Sequence, residues 1–176
     1  MVNSDLVIDF VNSLELHPYE EQLDSPRALV AWLAERRLIA PGARATQANL
    51  AEAVGVREAL RDLIGAQNGL PADVEAATAV IDAAARRAGL GVRFAAGAAR
   101  VEPAAPGVRG ALGHILAEVS AGMADGTWSR IKACRAESCR WAFLDTAKNR
   151  SRAWCSMQTC GNREKVRTYR TRHPSH

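Results

Sequence analysis

The sequence predicts an α+β protein, in which a mostly helical N-terminal domain with a small β-hairpin precedes a small cysteine-rich module. Three observations lead to this prediction. Apolar residues recur at helical spacing through most of the chain up to residue 125, one short alternating segment interrupts them, and all four cysteines follow residue 130. The length of 176 residues and the 48% hydrophobic content suit one core with a small appendage. We expect the two domains to span residues 1–128 and 129–176.

Start and stop signals locate the first helices. The segment LVIDFVNSL, residues 6–14, is apolar and rich in β-branched residues, and its pattern fits either a buried strand or the first turn of a buried helix. Ser25 can cap a helix that has Pro26 at its first position. This helix should end by Pro41 and Gly42, which cannot continue it.

Three further helices and one hairpin follow. One helix begins after Thr46 and another near Ala72, each with an apolar stripe at helical spacing. After Gly89, the segment GVRFAAGAARVEP indicates two short strands around an Ala-Ala-Gly turn. The helical period returns over residues 107–122, and a turn at residues 125–126 ends the large domain.

Residues 50–64, LAEAVGVREALRDLI, have some features of a helix-turn-helix with Gly55 in the turn. That motif needs an apolar residue about six positions after the turn glycine, which packs the second helix on the first, and Arg61 stands there. We therefore favour one amphipathic helix with Gly55 inside it, at a cost of about 1 kcal/mol relative to alanine.

The sequence favours a cytoplasmic protein that is not an enzyme and has no contact with a membrane. Its first residues include acidic side chains and lack the basic region of a secretory signal, and no run of about 18 apolar residues occurs. Neither a nucleotide-binding loop nor a nucleophile elbow is present in the sequence. Asp9 and Asn12 could face a pocket in the first domain, but we favour the capping of local backbone.

The four cysteines form two close pairs, CRAESC and CSMQTC, separated by a hairpin-sized insert; they are Cys134, Cys139, Cys155 and Cys160. In a reducing compartment such a cluster is more typical of a metal site than of two disulfides. This spacing can bring four thiolates to the corners of a tetrahedron, which Zn²⁺ accepts in closed structural sites. Because four sulfur ligands leave no open position, the sequence predicts one structural zinc ion without a hydrolytic role.

The sequence predicts three elements in this module: a zinc knuckle at the first cysteine pair, a β-hairpin and a helix. This is the order of elements in a treble-clef-like zinc finger. RWAFLD and RAWC flank the polar segment TAKNRS, so we interpret the insert between the cysteine pairs as a β-hairpin. Ser156 can cap a helix that has Cys160 in its first or second turn. Val166 and Tyr169 would form the inward stripe of this helix. The aromatic residues are interpreted as the small core of the module rather than as platforms for bases: Trp141, Phe143 and Trp154.

Charge divides the chain into two parts. Residues 1–129 hold 11 Lys and Arg against 16 Asp and Glu, a net −5, whereas residues 130–176 hold 12 against 3, a net +9. Arg135 and Arg140 can offset the negative charge of a zinc–thiolate centre, but a large surplus remains. A basic block beside an acidic body is typical of a protein that binds a polyanion, although an acidic protein partner or plain solubility would also explain it. The candidate nucleic-acid contacts are Lys148, Arg150 and Arg152 in the polar turn and Arg163, Arg167 and Arg170, which form one ridge along the helix.

These residues resemble a known family. The segment CRAESCRWAFLDTAKNRSRAWCSMQTCGNREKVRTYR is similar to the CGNR zinc finger, named for the tetrapeptide at residues 160–163. LVIDFVNSL and the strand pair after Gly89 resemble the ABATE domain, the N-terminal domain of this family. The resemblance implies a bacterial transcription regulator, often described as stress-induced, in which an α+β domain precedes a zinc finger that binds DNA.

Two functions from different classes are consistent with the sequence. In the first, the finger contacts phosphates and bases of DNA, while the larger domain senses a small-molecule ligand or forms a homodimer. In the second, the protein is an adaptor whose basic finger docks on an acidic protein or on structured RNA. The salt dependence of binding distinguishes a nucleic acid from an acidic protein. Phosphate binding by several arginines weakens steeply as salt rises, whereas a protein contact anchored by aromatic residues does not.

Overall fold

The computed structural model describes residues 3–173, so the outermost ends of both expected domains lie outside it. The helices within this range are α1 (Ser4–Val11), α2 (Pro26–Glu35), α3 (Gln47–Gln67), α4 (Val74–Ala88), α5 (Gly107–Asp125) and α6 (Asn162–Arg172). The strands are β1 (Leu14–Leu16), β2 (Tyr19–Glu21), β3 (Gly91–Ala95), β4 (Ala98–Glu102), β5 (Ile131–Ala133) and β6 (Ala142–Leu144), which form three antiparallel pairs in chain order. The predicted α+β class is confirmed.

Local signals account for the first two helices. The ambiguous LVIDFVNSL segment is mostly helix: α1 runs to Val11 and β1 begins at Leu14, so this segment is not a buried strand. The side chain of Asn3 caps α1 by accepting a hydrogen bond from the Leu6 amide. Ser25 caps α2 in the same way and Pro26 occupies its first position, as the sequence predicts.

Helix α3 is continuous from Gln47 to Gln67, so the prediction of one helix is confirmed and the helix-turn-helix reading is excluded for this segment. It begins with a capping box, in which the Thr46 hydroxyl accepts from the Asn49 amide while the Asn49 side chain accepts from the Thr46 amide. Its 21 residues make it the longest helix of the described chain, and the other helices of the body pack around it.

The core of the N-terminal body lies where α1, α2, α3 and α5 meet. Its fully buried residues include Phe10, Leu33, Leu60 and Ile115. Helix α4 packs against α3 and α5 with a narrow alanine face. This close packing requires a glycine in α5, since a Cβ at Gly113 would lie 2.6 Å from the Pro103 side chain and 2.9 Å from Ala88.

Two arginines of α3 lie inside the body, with side chains only 1% exposed. Arg57 donates to both carboxylate oxygens of Glu21, at 2.7 and 2.8 Å, and to Glu58 at 2.8 Å. Arg61 donates to the other oxygen of Glu58 at 3.0 Å and to the backbone carbonyls of Val11 and Leu14. Two buried cations thus meet two carboxylates, which is the condition for burying guanidinium groups without a large penalty.

This network shifts the pKa of its partly buried carboxylate. Burial alone would raise the pKa of Glu21, but hydrogen bonds from Arg57 and from the Leu23 amide, together with the charge of Arg57, hold it below the ordinary value. Because the folded-state pKa is the lower one, the ionised carboxylate stabilises the fold above the unfolded pKa. That stabilisation is lost as the pH falls through the folded value.

We expect Glu21→Gln to destabilise the protein by about 2 kcal/mol at neutral pH, because Arg57 stays buried without its full counter-charge. The difference from wild type should shrink once the pH falls below about 4.3, the unfolded value for a glutamate. Urea unfolding at several pH values, followed by helical circular dichroism, measures both effects. Glu20→Gln, an exposed change in the same strand, is the control; a difference that is independent of pH would contradict the assignment.

Candidate metal centre and nucleic-acid interface

The first pair of cysteines sits in the connection of a two-stranded sheet. β5 and β6 are antiparallel, with Lys132 opposite Phe143, and the cysteines 134 and 139 lie between the two strands. The Cys134 amide continues the ladder by donating to the Trp141 carbonyl at 2.9 Å. The sheet therefore precedes the insert between the cysteine pairs, and it holds the first two thiols close together.

The prediction of a β-hairpin inside that insert is wrong. RAWC is not a strand, and RWAFLD pairs with the earlier residues of β5 instead. The returning chain is bonded to the first cysteine loop, where the Arg135 amide donates to the Ala153 carbonyl at 3.0 Å. Pairing with β5 also buries Ala142 in the main core, which a hairpin within the insert would not do.

The four sulfur atoms lie within 4.8 Å of one another: those of Cys134, Cys139, Cys155 and Cys160. The Cys139–Cys155 and Cys155–Cys160 sulfur pairs are both 3.7 Å apart. A tetrahedron with zinc–sulfur bonds of about 2.3 Å has edges of about 3.8 Å, whereas a disulfide needs about 2.05 Å. The spacing fits four thiolates around one metal ion and does not fit disulfides.

The electrostatics of the cluster also require a cation. A hydrogen bond from Cys139 lowers the pKa of the Cys134 thiol to about 5, so one thiolate forms readily. The same contact and burial raise the pKa of Cys139, and burial together with the charge of Cys134 raises that of Cys155 to about 12. A divalent ion offsets the charge repulsion among these thiols and so favours four thiolates at this position. The cysteines therefore form the site of one structural zinc ion, as predicted.

The second pair of cysteines leads into the last helix. The Ser156 hydroxyl accepts from the Thr159 amide at 3.3 Å and caps a single π-helical turn, Met157–Gly161, which continues directly into α6. Cys160 is buried in this turn, so the predicted cap and the position of the fourth ligand are both confirmed. The start of α6 is thereby attached to the metal site.

The rest of α6 is exposed. Within Asn162–Arg172, all of which the structure describes, no side chain is buried; Val166 is 49% and Tyr169 64% exposed. The prediction that these two form an inward stripe is wrong. The small core of the finger is closed without them, by Phe143 and the thiol groups with Trp141 and Trp154 packed against it. Phe143 is confirmed as part of this core, whereas Trp141 and Trp154 are only half-buried and pack against it.

A buried ion pair shapes the loop that follows β6. Asp145 is fully buried and accepts hydrogen bonds from the Lys132 ammonium at 2.7 Å, the Ala147 amide at 3.0 Å and the Arg152 amide at 3.1 Å. Burial alone would raise the pKa of Asp145, but these bonds and the Lys132 charge lower it. Lys132 also donates to the Arg150 carbonyl. Sequence reasoning did not single out Lys132, which it counted only in the net charge of residues 130–176.

The predicted contact residues form two exposed groups. Arg163, Arg167 and Arg170 line one shallow groove along α6, whereas Lys148, Arg150 and Arg152 lie in the loop of residues 145–153, which we call the basic loop. Three of these six side chains are already engaged within the protein, since the Arg163 guanidinium also donates to the Ser138 hydroxyl at 3.3 Å. Arg167 is paired with Glu164 at 2.5 Å, and Arg152 lies over the Phe143 ring at 4.6 Å while donating to the Trp154 carbonyl.

Arg135 and Arg140 connect the finger to α3. The Arg140 guanidinium pairs with Asp62 at 2.7 Å, and the Arg135 side chain donates to the Asn68 carbonyl at 2.8 Å. The Asn68 side chain in turn donates to the Ala133 carbonyl at 2.7 Å. These two arginines, expected to offset the thiolate charge, therefore also dock the finger on the body.

Asn12 makes the corresponding link from α1. Its amide donates to the Ala142 carbonyl at 2.9 Å, and its oxygen accepts from the Ala142 amide at 2.8 Å, so both backbone groups of a buried residue are satisfied. The side chain thus bonds a strand far along the chain, and the prediction that it caps local backbone is wrong. Asp9 instead lies beside a surface groove, 3.5 Å from the Arg36 guanidinium.

Comparisons with known proteins agree with this architecture. One family model, described as a putative stress-induced transcription regulator and called ABATE, matches residues 4–131. The chain belongs to the ABATE family. A second model, the CGNR zinc finger, matches residues 130–173 and covers the metal centre of this ABATE protein. A search among curated proteins finds no match.

Membership in the ABATE family confirms the resemblance seen in the sequence and supports a role in transcription regulation. Both models meet at the start of β5, where the body ends and the cysteine-bearing sheet begins. Across residues 3–173, no helix of the ABATE protein is long and apolar enough to cross a membrane.

We expect the purified protein to contain about one Zn²⁺ per chain, with zinc–sulfur distances of about 2.3 Å in X-ray absorption. Chelation should unfold the basic loop and α6, since their small core cannot hold them without metal, while α1 to α5 persist. Cys155→Ser should have the same effect, and Ser151→Ala, an exposed change nearby, should not. Reduced, freshly prepared protein without zinc would contradict the assignment.

We expect Asn12→Ala to destabilise the protein by about 2 kcal/mol, because the buried amide and carbonyl of Ala142 lose their partners. Asn12→Asp should be at least as harmful, since a carboxylate oxygen would then face the Ala142 carbonyl. Urea unfolding measures both changes against Asn149→Ala in the exposed basic loop. Equal stability of all three variants would show that this link is dispensable.

Proposed function

We propose that the protein is a non-enzymatic transcription regulator that binds DNA through α6 and the basic loop. One observation carries this proposal: α6 is attached at one end to the metal site, has no buried side chain, and bears three arginines on one groove. A helix of this kind matches the width of the DNA major groove, and guanidinium groups suit phosphates and guanine edges.

The charge of α6 supports a polyanionic partner. Its basic residues outnumber its one acid, Glu164, by five to one; they are Arg163, Lys165, Arg167, Arg170 and Arg172. A helix intended only for solubility would usually interleave both signs. Lys148 and Arg150 add exposed positive charge on the loop, held in place by the buried pair of Lys132 and Asp145. Two separate basic elements on one rigid module favour contact with a phosphate backbone.

Arg163 is the best candidate for reading a base. It belongs to the first turn of α6, next to the metal site, and its guanidinium is 3.3 Å from the Ser138 hydroxyl of the first cysteine loop. A long side chain that starts from a rigid element is positioned more reproducibly than one near a free helix end. Arg167 and Arg170 lie farther along the groove and suit phosphates.

The body is proposed to sense a ligand or to form a dimer. One surface groove of the body, about 700 Å³, is lined by polar and charged side chains of α1, the end of α2 and α5, including Asp9, Arg36, His114 and Glu118. Such a groove suits a small polar molecule. Because Asn12 ties α1 to β6, a ligand that moves α1 would also act on the finger. A cytoplasmic location in a bacterium, with a role under stress, belongs to the same proposal.

An adaptor function is the second candidate. It is favoured by the exposure of Val166 and Tyr169 on α6, since an apolar residue and an aromatic ring are typical anchors of protein contacts. An acidic protein or structured RNA would then replace DNA. The salt dependence of binding distinguishes an acidic protein from a nucleic acid, and a comparison of DNA with RNA distinguishes the two nucleic acids.

We expect the zinc-loaded protein to bind duplex DNA with an affinity that falls steeply with salt, and Arg170→Ala to reduce the salt slope by about one unit. Arg167→Ala should reduce it less, since Glu164 already neutralises this residue, and Glu164→Gln should strengthen binding. Arg163→Ala should weaken binding by about 1–3 kcal/mol and relax the preferred sequence at one position. Fluorescence anisotropy across a salt series measures all four.

The matched control is Arg44→Ala, which removes the same charge from the exposed surface of the body. It should leave the salt slope unaltered. If the zinc-loaded protein binds neither duplex DNA nor RNA at low salt, or if the α6 variants behave like Arg44→Ala, the DNA-binding proposal fails and the acidic protein partner takes its place.

A further inference from the structure

A cavity of about 350 Å³ lies between the finger and the β1–β2 hairpin of the body. Three of the metal-binding cysteines line it: 139, 155 and 160. Trp141 and Phe143 contribute aromatic surface, and Glu15 and His17 of the hairpin contribute polar groups. Arg163 also lines this cavity, as it lines the groove on α6. Apart from Arg163, the proposed DNA contacts along α6 and on the basic loop do not line this cavity.

We propose that this cavity binds one unpaired base of a nucleic acid strand. The inference rests on the proposed DNA-binding function and makes it more specific: the target would contain a base that is out of the duplex stack, at a bulge, a mismatch or a single-stranded position. The regulator would then recognise a distorted site rather than a regular duplex alone.

The walls of the cavity suit a flat ring. Unpaired bases are recognised mainly by stacking on aromatic side chains, and such stacking tolerates every base because each has a π-face. Trp141 is only half-buried although it packs on the core of the finger, so part of its indole faces the cavity.

The polar groups indicate which base fits. The carboxylate of Glu15 accepts hydrogen bonds and repels phosphate, so the neutral base rather than the backbone belongs on its side of the cavity. Guanine is the base that places two neighbouring donors, an imino and an amino group, on its Watson–Crick edge. Thymine has one imino donor between two carbonyl oxygens, which a carboxylate disfavours. The cavity should therefore prefer an unpaired guanine over an unpaired thymine.

The position of Arg163 indicates that the base belongs to a strand and not to a free nucleotide. This arginine and Thr159 line both the cavity and the α6 groove, so the two sites are continuous. A strand whose phosphates lie along Arg167 and Arg170 can direct a neighbouring base into the cavity. The α6 arginines would face the phosphates, and Glu15 would face the base. This division of charge matches one nucleotide within a strand.

The test compares three duplexes that differ at one position: fully paired, with one unpaired guanine, and with one unpaired thymine. We expect the full-length, zinc-loaded protein to bind the unpaired-guanine duplex about 5- to 10-fold more tightly than the paired one, as expected for one stacked base. The thymine duplex should bind more weakly than the guanine duplex. Fluorescence anisotropy at a fixed salt concentration gives the three affinities.

Glu15→Gln should abolish the preference for guanine over thymine, whereas Glu20→Gln should keep it. Glu20 lies opposite Glu15 in the β1–β2 sheet and does not line the cavity, so it controls for the loss of one negative charge. As a second readout, 2-aminopurine at the unpaired position should change its fluorescence on binding. Trp141→Phe, which keeps an aromatic ring, should retain this change, and Trp141→Ala should lose it.

Equal affinities for the three duplexes, with a salt slope that still depends on the α6 arginines, would overturn the base-binding cavity and leave the proposed function standing. A protein that binds none of the duplexes would overturn both. Guanosine monophosphate that competes as effectively as the guanine duplex would assign the cavity to a free nucleotide and overturn the strand-bound base.

Discussion

The C-terminal third of this protein depends on one electrostatic constraint, the need of four clustered thiolates for a cation. Cys134 and Cys139 come from the loop of a sheet, Cys155 directly precedes the Ser156 cap, and Cys160 lies in the turn that begins α6. Their sulfur atoms have the spacing of ligands around one metal ion and are too far apart for disulfides. Zinc therefore joins the sheet to the helix, and the basic loop lies between these two fixed ends.

The finger is not an independent appendage of the body. Ile131, Ala133 and Ala142, from its only sheet in the described chain, belong to the main hydrophobic core. Asn12 and Asn68 satisfy backbone groups of these strands from α1 and the end of α3. The finger thus shares packing and hydrogen bonds with the domain proposed to sense a signal. A change in the position of α1 or α3 would reach the metal site through direct contacts, without a flexible linker to absorb it.

Arginine has two opposite roles in this chain. Arg57 and Arg61 are buried, and their hydrogen bonds to two glutamates and to backbone carbonyls hold the N-terminal segment against α3. Arg163 and Arg170 are exposed on a helix that buries nothing, and Arg163 makes only a single exposed hydrogen bond, to Ser138, among the described residues. The energetic difference is large, because a buried guanidinium must be fully paired while an exposed one keeps its hydration until it binds. Net charge by residue range therefore gave the correct sign for the finger but did not distinguish these roles.

The sequence by itself determined the features that neighbouring residues encode. Ser25 and Ser156 predicted their caps, the spacing of the cysteines predicted the zinc site, and the missing apolar residue at Arg61 was enough to reject a helix-turn-helix. Caps, turns and metal ligands depend on chemistry within a few residues, so they can be read locally. The segment of residues 6–14 was already compatible with a helix, because its apolar pattern lasts for two helical turns.

Tertiary structure alone decided which distant segments meet. Local patterns made RAWC a plausible strand, but β5 paired with β6 because this pairing buries Ala142 in a core built by other helices. Val166 and Tyr169 have the spacing of an inward stripe, yet the finger core is closed by aromatic residues from elsewhere and leaves them exposed. Asn12 and Lys132 likewise acquired partners that no short window of sequence contains. Burial and strand pairing are properties of the whole chain, since the free energy of burying a side chain depends on which distant residues pack against it.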